Sequence, residues 1–236
     1  MACVWPYRVK RDALPRADFD ALRDALLTSP LVGRSTLAGP FQSSRGFAVI
    51  FRAEGIAKVT QRFAPLAAYL PAILGAPGAV AVAPFWRRTH RRTPNAWYLN
   101  VLLVSEGGTV GRHVDATLRK PAEAPEAIPE CVSVLYLDVP KARGGQLKLY
   151  LGRLPVGSVR PQDNQLVHFH GGLSHEVCAF SGAPGAVRAS LVVEQYHFAP
   201  EVLARLPAFQ LDSRAGFAAY LDAHARREAT RFELEE

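Results

Sequence analysis

The chain has 236 residues, of which 49% are hydrophobic and 21% charged, a balance typical of one globular domain with a packed core. It contains no apolar run long enough to span a membrane and no signal-peptide-like N-terminus, and its three cysteines lack the paired spacing of a disulfide framework or a metal cluster. We therefore expect a cytoplasmic protein. The net charge of +7 is compatible with binding to a nucleic acid, with an acidic partner or with simple solubility.

The N-terminal part of the chain contains both helical and strand-like patterns. Apolar residues at helical spacing predict a helix over residues 17–28, and the run Phe47–Phe51 predicts a strand. A second helix is predicted over residues 55–73, bent or ended near Pro71, because proline cannot continue a helix. The apolar run over residues 78–85 predicts another strand.

From residue 96 the pattern changes to short apolar or alternating runs separated by turn residues. The predicted strands in this region cover residues 97–104, 110–114, 131–137, 146–151, 157–160, 165–169, 176–180 and 187–196. Short strands at regular spacing are typical of antiparallel sandwiches and barrels, and eight strands in two sheets make a jelly roll.

The predicted fold is therefore mainly β with flanking helices, an α+β protein with a jelly-roll core. We expect the catalytic core over residues 96–198, an N-terminal α/β segment over residues 1–95 that packs on it, and C-terminal helices within residues 199–236. The helical patterns in the last segment cover residues 200–206 and 214–231. In this prediction the three parts form one structural domain.

His113 and Asp115 lie two residues apart at the end of one predicted strand, so both side chains point to the same face. His175 lies where a later strand starts, and a jelly roll can bring that strand alongside the first. Two imidazoles and one carboxylate on one face of a six-coordinate iron, with the opposite face open, are the ligand set of non-haem Fe(II) oxygenases. The sequence predicts such a site from these three residues.

His168 and His170 are alternatives for the second histidine ligand, because the run Val167–His170 also alternates in polarity. We expect both to be structural, with one of them facing the core and hydrogen-bonded there. A structural role could explain each polar residue of the predicted site alone, but it does not explain their shared order along the chain.

Arg188, Ser190 and Val192 share one face of the last predicted strand of the core. An arginine inside a barrel is costly unless an anion pairs with it, and a guanidinium binds a carboxylate through two parallel hydrogen bonds. Tyr136, in the next strand after His113, is either a second donor to the same carboxylate or a half-buried core residue. Metal ligands followed by a carboxylate anchor suggest an oxygenase that consumes a keto acid.

A basic and aromatic segment, Phe85–Arg92, precedes the predicted core. The favoured interpretation is a solvated basic loop. The sharper interpretation is a substrate rim that recruits an anionic or peptide substrate through Arg87, Arg88, Arg91 and Arg92. The segment Leu118–Glu130, rich in Pro, Ala and Glu, is predicted to be a mobile lid beside the metal.

The chain resembles the 2-oxoglutarate/Fe(II)-dependent dioxygenases, in particular their prolyl-4-hydroxylase-like branch. The resemblance covers residues 97–198 and rests on the segments Gly107–Asp115, Val132–Asp138, Gly144–Leu147, Leu166–Val177 and Arg188–Ser190. It implies a double-stranded β-helix core with Fe(II), 2-oxoglutarate and O2, and ascorbate as a candidate reductant. By position, it assigns the metal to His113, Asp115 and His175, and the distal carboxylate of the keto acid to Arg188, assisted by Tyr136 and Ser190.

The resemblance has one departure and several functional consequences. The branch often has a tyrosine about ten residues before its first iron histidine, and the apolar run Leu102–Val104 stands in that neighbourhood here, so the pocket wall differs. The implied activity is hydroxylation of a peptide or protein side chain or of a small-molecule C–H bond, because Asp115 fills the place that halogenating relatives leave for a halide. A desaturase or cyclase of the same class, acting in natural-product biosynthesis, is the alternative within enzymes.

Three other classes of protein fit the pattern less well. A nucleic-acid demethylase of the AlkB type is disfavoured, because the second arginine expected six residues after Arg188 is Glu194 here. A non-catalytic jelly-roll binding protein would not need an intact ligand set, and a cupin-type metal enzyme without a keto acid would not need Arg188. The expected partner is a small-molecule or peptide substrate, with no nucleic acid and no membrane, and the sequence leaves the oligomeric state open.

Overall fold

The computed structural model describes residues 6–32, 44–75, 92–118, 128–212 and 231–232. Their strands form two antiparallel sheets that pack against each other, together with a short two-stranded ribbon. Within these residues, no helix is long and apolar enough to cross a membrane.

The larger sheet joins strands from distant parts of the chain. Its described strands, in spatial order, are β1 (Tyr7–Lys10), β9 (Leu166–Phe169), β5 (Cys131–Asp138), β12 (Val187–Tyr196), β3 (Ala96–Ser105), β2 (Ser44–Arg52), β13 (Phe209–Asp212) and β14 (Arg231–Phe232). Strand β12 lies near the centre and pairs along most of its length with β5 on one side and β3 on the other.

The smaller sheet contributes the other wall of the jelly roll. Its described strands, in spatial order, are β4 (Val110–His113), β10 (Ser174–Val177), β7 (Leu147–Leu151) and β8 (Leu154–Val159). The ribbon pairs β6 (Arg143–Gly144) with β11 (Phe180–Ser181). Apolar residues of β5 and β9 pack directly on those of β7 and β8, so the space between the two sheets is a second core. The predicted mainly β, jelly-roll architecture is confirmed.

Helices cover the outer face of the larger sheet. They are α1 (Arg16–Leu27), α2 (Ile56–Arg62), α3 (Leu66–Tyr69) and α4 (Pro71–Leu74), and a further short helix, α5 (Pro200–Leu203), follows β12. Helix α1 buries Phe19, Leu22 and Leu26, whose spacing of three and four residues puts them on one face. These side chains share a core cluster with Leu191 and Val193 of β12.

The alternation of side chains along β12 decides which residues face the inside of the jelly roll. Ala189, Leu191 and Val193 pack in the core cluster under the helices. The intervening residues therefore point toward the smaller sheet, and they are Arg188, Ser190, Val192 and Glu194. This inner row forms one wall of the candidate site.

The predicted helix over residues 55–73 is broken into pieces. A single turn of 3-10 helix precedes α2, which ends at Arg62, and two further short helices follow. Pro65 immediately precedes α3, and Pro71 begins α4. Each proline removes a backbone donor and restricts the residue before it, so a break occurs at both prolines rather than near Pro71 alone.

Most of the other predicted elements are confirmed where the structure describes them. The helix over residues 17–28 is α1, the strand Phe47–Phe51 lies within β2, and all eight predicted core strands are present with ends shifted by a few residues. Strands β1, β6, β11, β13 and β14 were not predicted as separate strands. The run over residues 78–85 lies outside the described residues, as does the helical pattern over residues 214–231 apart from Arg231, which belongs to β14. The division into three segments stays a prediction.

Candidate metal centre

The two histidines of the predicted site lie directly opposite each other on neighbouring strands. His113 at the end of β4 and His175 in β10 are paired residues in the register of the smaller sheet. Their ring centroids are 4.3 Å apart, and Phe169 packs edge-on against the His175 ring at 4.9 Å. Sheet pairing therefore brings together two side chains that are far apart in the sequence.

Asp115 lies just beyond the end of β4, and its carboxylate contacts both rings. Asp115 Oδ1 is 3.2 Å from His113 Nε2, and Asp115 Oδ2 is 3.4 Å from His175 Nε2. One ligand atom from each of the three residues lies within 4.8 Å of the others, a spacing suited to a single metal ion. Asp115 and His175 are buried and His113 is half-buried.

The hydrogen bonds of the two imidazoles show which nitrogen faces the carboxylate. His113 Nδ1 lies 2.7 Å from the carbonyl oxygen of Gly111, and His175 Nδ1 lies 3.3 Å from that of Leu173. Because a carbonyl only accepts, each Nδ1 is assigned the hydrogen, and each neutral ring then presents the Nε2 lone pair to Asp115. A lone pair facing a carboxylate oxygen is unfavourable unless a cation lies between them, so the donor set fits a divalent metal.

Ionisation of the three groups follows the same geometry. Burial favours neutral His113, but the hydrogen bond and charge of Asp115 outweigh it and raise the pKa of His113. For His175 burial dominates and lowers the pKa. Burial alone would raise the pKa of Asp115, yet His175 and His113 hold it below its usual value. The Asp115 carboxylate therefore favours a positive charge beside the two rings, which is what a divalent metal supplies.

Arg188 is buried at the other end of the inner row of β12. One guanidinium nitrogen, Nη1, donates to the carbonyl oxygen of Gly145 at 2.6 Å, while the buried Nε has no hydrogen-bond partner within the described part of the chain. Among the described residues no carboxylate forms an ion pair with it, and burial lowers the pKa of this guanidinium. A buried cation with free donors and no counter-charge is a strong binding group for an anion.

Tyr136 and Ser190 lie beside this arginine. They are paired residues on β5 and β12, and the Arg188 guanidinium carbon is 6.0 Å from the centre of the Tyr136 ring. Burial raises the pKa of Tyr136 to about 12, although the charge of Arg188 acts against this. Tyr136 therefore keeps its phenolic hydrogen at neutral pH and can donate it to a bound anion. The structure places all three predicted co-substrate residues together.

The backbone that receives the Arg188 hydrogen bond needs glycine. Gly144 and Gly145 both have positive φ angles, of 84° and 74°. A Cβ on Gly144 would lie 2.3 Å from the carbonyl oxygen of Ala179, and one on Gly145 would lie 3.4 Å from Arg188 Nη1. The Gly-Gly pair of the sequence thus lets the ribbon approach the arginine closely.

Two cavities meet at Arg188. The inner one is narrow, about 40 Å³, and contains the three metal-site residues together with Tyr136 and Ser190. The outer one, about 360 Å³, lies between the segments of residues 139–145 and 160–163. Arg188 is the residue that lines both cavities.

Two polar residues of the inner cavity, Glu194 and Asn100, are absent from the predicted site. Glu194 is buried and accepts hydrogen bonds from Thr117 N at 3.0 Å, from Thr117 Oγ1 at 2.6 Å and from the hydroxyl of Tyr196. Burial and the charge of Asp115 raise the pKa of Glu194 to about 8, although these hydrogen bonds lower it. The period of two along β12 was the available signal, because it puts Glu194 in the same row as Arg188.

His168 and His170 lie outside the metal-ligand group. Ser133 Oγ is 2.6 Å from His168 Nδ1, and Gln195 Nε2 donates to the same hydroxyl at 2.6 Å. His170 Nδ1 instead accepts from the backbone N–H of Gly172. The structural roles expected for both histidines agree with these contacts.

His168 should make the protein less stable in acid. Burial lowers its pKa from 6.5 to about 4, so between these values the unfolded chain binds a proton that the folded protein does not. The contribution of neutral His168 to the free energy of unfolding is therefore complete above pH 6.5. It is lost as the pH falls toward 4, and the loss is at most about 3 kcal/mol. Urea unfolding across this range should show that the free energy of unfolding depends less on pH in His168→Gln than in the wild type. His170→Gln is the matched control, and an equal slope for His168→Gln and the wild type would contradict the assignment.

The predicted rim and lid lie mostly outside the described residues. Of the four rim arginines only Arg92 is described, and its Nη2 pairs with Glu130 Oε1 at 3.2 Å, so its charge is partly neutralised. In the predicted lid, residues 119–127 are not described. Leu118, expected to begin the lid, is buried, and its backbone N–H donates to the Tyr196 hydroxyl at 3.3 Å. The start of that segment is therefore anchored, contrary to the prediction.

Comparisons with known proteins agree on the fold. No protein-family model and no curated protein matches the chain. A prolyl-4-hydroxylase from Pseudomonas putida superposes with a TM-score of 0.51 at 18% identity, over 83% of this chain and 94% of that one. A prolyl hydroxylase from Trichoplax adhaerens, solved with a peptide fragment of the hypoxia inducible factor oxygen degradation domain, gives a TM-score of 0.55 at 14% identity, over 84% and 86%. The chain shares with them the double-stranded β-helix fold that the sequence predicted.

Proposed function

We propose that this protein is an Fe(II)- and 2-oxoglutarate-dependent dioxygenase that hydroxylates a C–H bond of a peptide side chain or a small molecule. The observation that carries the proposal is that one cavity contains both a buried set of two histidines and a carboxylate, and a buried arginine without a described counter-charge. The first element suits a metal with open coordination positions, and the second suits the far end of a dicarboxylate.

The residues of the cavity have separable roles in this proposal. His113, Asp115 and His175 hold the metal, and the backbone carbonyls at each Nδ1 fix the rings in the ligating tautomer. Bound Fe(II), with 2-oxoglutarate and O2, supplies the oxidising chemistry. Arg188 binds the distal carboxylate of the keto acid, and Tyr136 and Ser190 donate further hydrogen bonds to it.

The cavity also excludes water from the reacting groups. Asp115, His175 and Arg188 are all at most 6% exposed, so their electrostatic interactions act in a low-dielectric surrounding. With about 40 Å³ of free volume, the cavity cannot take a keto acid without movement of its lining side chains.

A peptide substrate is one of the two classes that the proposal includes. The fold of the Trichoplax adhaerens prolyl hydroxylase accommodates a bound peptide fragment, which supports a peptide as a substrate class for this chain. The ion pair of Arg92 with Glu130 partly neutralises one charge that would attract an acidic peptide. Arg87, Arg88 and Arg91 lie outside the described residues, so the favoured solvated loop and the alternative substrate rim both stay predictions.

Succinate production tests the proposal. Protein reconstituted anaerobically with Fe(II) should convert 2-oxoglutarate to succinate when O2 is admitted, slowly alone and faster with a substrate. Peptides and metabolites that accelerate the reaction should then be analysed by mass spectrometry for the gain of one oxygen atom. Loss of two hydrogens would instead identify a desaturase or cyclase of the same class. Failure to bind Fe(II) and 2-oxoglutarate would overturn the proposal and favour a non-catalytic binding protein.

A further inference from the structure

Glu194 lies at the end of the inner row of β12 that is opposite to Arg188. Both belong to the inner row of β12, and six residues of extended strand separate them by about 20 Å. Thr117, two residues after Asp115, is hydrogen-bonded to Glu194, so the metal site lies toward the Glu194 end of the row. A keto acid that reaches from the metal to Arg188 leaves Glu194 facing the remaining part of the cavity, where a substrate would lie.

The hydrogen bonds of Glu194 hold its carboxylate in place without using its full capacity. An ionised carboxylate offers about four acceptor positions. The backbone N–H and hydroxyl of Thr117 and the hydroxyl of Tyr196 occupy three of them, two on Oε2 and one on Oε1. The remaining position is on Oε1, and the residue lines the inner cavity.

The charges of the loaded site provide no counter-charge for Glu194. A ferrous ion and Arg188 together are neutralised by Asp115 and the two carboxylates of the keto acid. Arg188 is the one permanently cationic side chain among the described residues of the cavity lining. Burial and the charge of Asp115 raise the pKa of Glu194 to about 8, so without a nearby cation it is mostly protonated at neutral pH. Once ionised, it is a buried charge with no counter-charge among the described residues of the cavity, which is strongly unfavourable. A substrate that carries a cation would remove this penalty and favour the ionised carboxylate.

Asn100 supplies a second acceptor in the same part of the cavity. Asn100 belongs to β3, where it is 3% exposed and pairs with Val192 of β12. Its Oδ1 has no hydrogen-bond partner among the described residues. A buried amide oxygen without a donor costs free energy that a bound N–H group would recover. Two acceptors, one of them charged, select for a group that is both cationic and rich in donors.

We propose that Glu194 and Asn100 form a subsite for a cationic group of the substrate, an alkylammonium or a guanidinium; this inference rests on the proposed function, because it places that group in the cavity of a loaded metal site. The cation would hold the substrate by its charged end and present a neighbouring C–H bond to the metal. The substrate class is then a basic amino acid, free or within a peptide, or another organic amine.

The test compares cationic probes with neutral ones of the same shape. Capped arginine and capped lysine, acetylated at the α-nitrogen and amidated at the carboxyl end, are matched with capped citrulline and capped norleucine. Binding is measured by calorimetry on protein loaded with Mn(II) and 2-oxoglutarate in the absence of O2. We expect the wild type to prefer at least one cationic probe over its neutral match by about ten- to a hundredfold, the effect of a hydrogen bond to a charged group.

Substitutions then assign the preference to the subsite. Glu194→Gln should reduce the ratio of the affinity for the cationic probe to that for its neutral match to near one. A general loss of structure would instead weaken the binding of both probes equally. Glu54→Gln, the same change at an exposed residue of the 3-10 turn before α2, is the matched control and should keep the wild-type ratio. Asn100→Ala provides a second variant should Glu194→Gln fail to fold, and it should lower the ratio severalfold.

The outcomes separate this inference from the proposed function. Absence of Mn(II) or 2-oxoglutarate binding by the wild type would overturn both. Normal binding of these two, with equal affinity for each probe pair, with no probe bound, or with a preference that survives in Glu194→Gln, would overturn the subsite and leave the oxygenase assignment in place.

Discussion

Replacing Asp115 with alanine is expected to abolish Fe(II)-dependent succinate formation while the fold survives. The carboxylate contacts both imidazoles and is the one negative charge of the three-residue metal site. Loss of an outer partner of a metal ligand already costs about 10- to 100-fold in metal affinity, so loss of a ligand should cost more than about a hundredfold. Asp115 follows the end of β4, so its removal leaves the strand pairing intact. Metal affinity by competition with a chelator, and thermal unfolding, are the measurements.

The same experiment on three histidines tests the choice of ligands. His113→Ala and His175→Ala should reduce metal affinity as strongly as Asp115→Ala does. His170→Ala is the matched control, because this histidine lies close in sequence but accepts a hydrogen bond from Gly172 N. If His175→Ala kept full activity and His170→Ala lost it, the assignment of the second histidine would be wrong.

Replacing Arg188 with alanine is expected to raise the 2-oxoglutarate requirement by tens- to thousands-fold. Arg188 is 2% exposed, and a desolvated, charge-assisted pair contributes about 2–5 kcal/mol of binding free energy. The measurement is the concentration of 2-oxoglutarate that gives half-maximal succinate formation, with metal affinity determined on the same sample. Metal affinity should change little, because Arg188 does not contact the metal-site residues.

Two further variants refine the role of this arginine. Arg188→Lys keeps the charge but cannot form a bidentate pair with a carboxylate, so we expect a 2-oxoglutarate requirement between those of the wild type and Arg188→Ala. Tyr136→Phe removes one donor and should raise the requirement by about tenfold or less, in line with a single hydrogen bond. An unchanged requirement in Arg188→Ala would place the carboxylate anchor elsewhere.

Periodicity accounts for how much of the site could be predicted. His113 and Asp115 share a face because they are two residues apart near a strand end, and Arg188 and Ser190 share one for the same reason. The same rule also puts Glu194 inside, but no pattern in the sequence shows that Thr117 and Tyr196 bind its carboxylate. Tyr196 lies two residues after Glu194 on the same face of β12, but Thr117 comes from a segment 77 residues away, which no local pattern connects to Glu194.

The errors in the fold prediction have equally local causes. The helix predicted over residues 55–73 has a sound apolar period, but Pro65 and Pro71 each interrupt it. Strand β1 is short, and half of it is basic or polar, so it lacks the apolar run that marked the other strands. Strand β13 is stabilised by pairing with β2, which is a long-range contact that a local pattern cannot reveal.

Arg188 also lies between two cavities. It is the residue shared by the narrow inner cavity and the larger outer one, so its side chain separates the metal site from the opposite end of the jelly roll. Truncation to alanine would therefore do more than remove a charge, because it would also remove the side chain that lines both cavities. A small guanidinium compound added to the solution could then occupy the place of the missing side chain and restore part of the binding of 2-oxoglutarate.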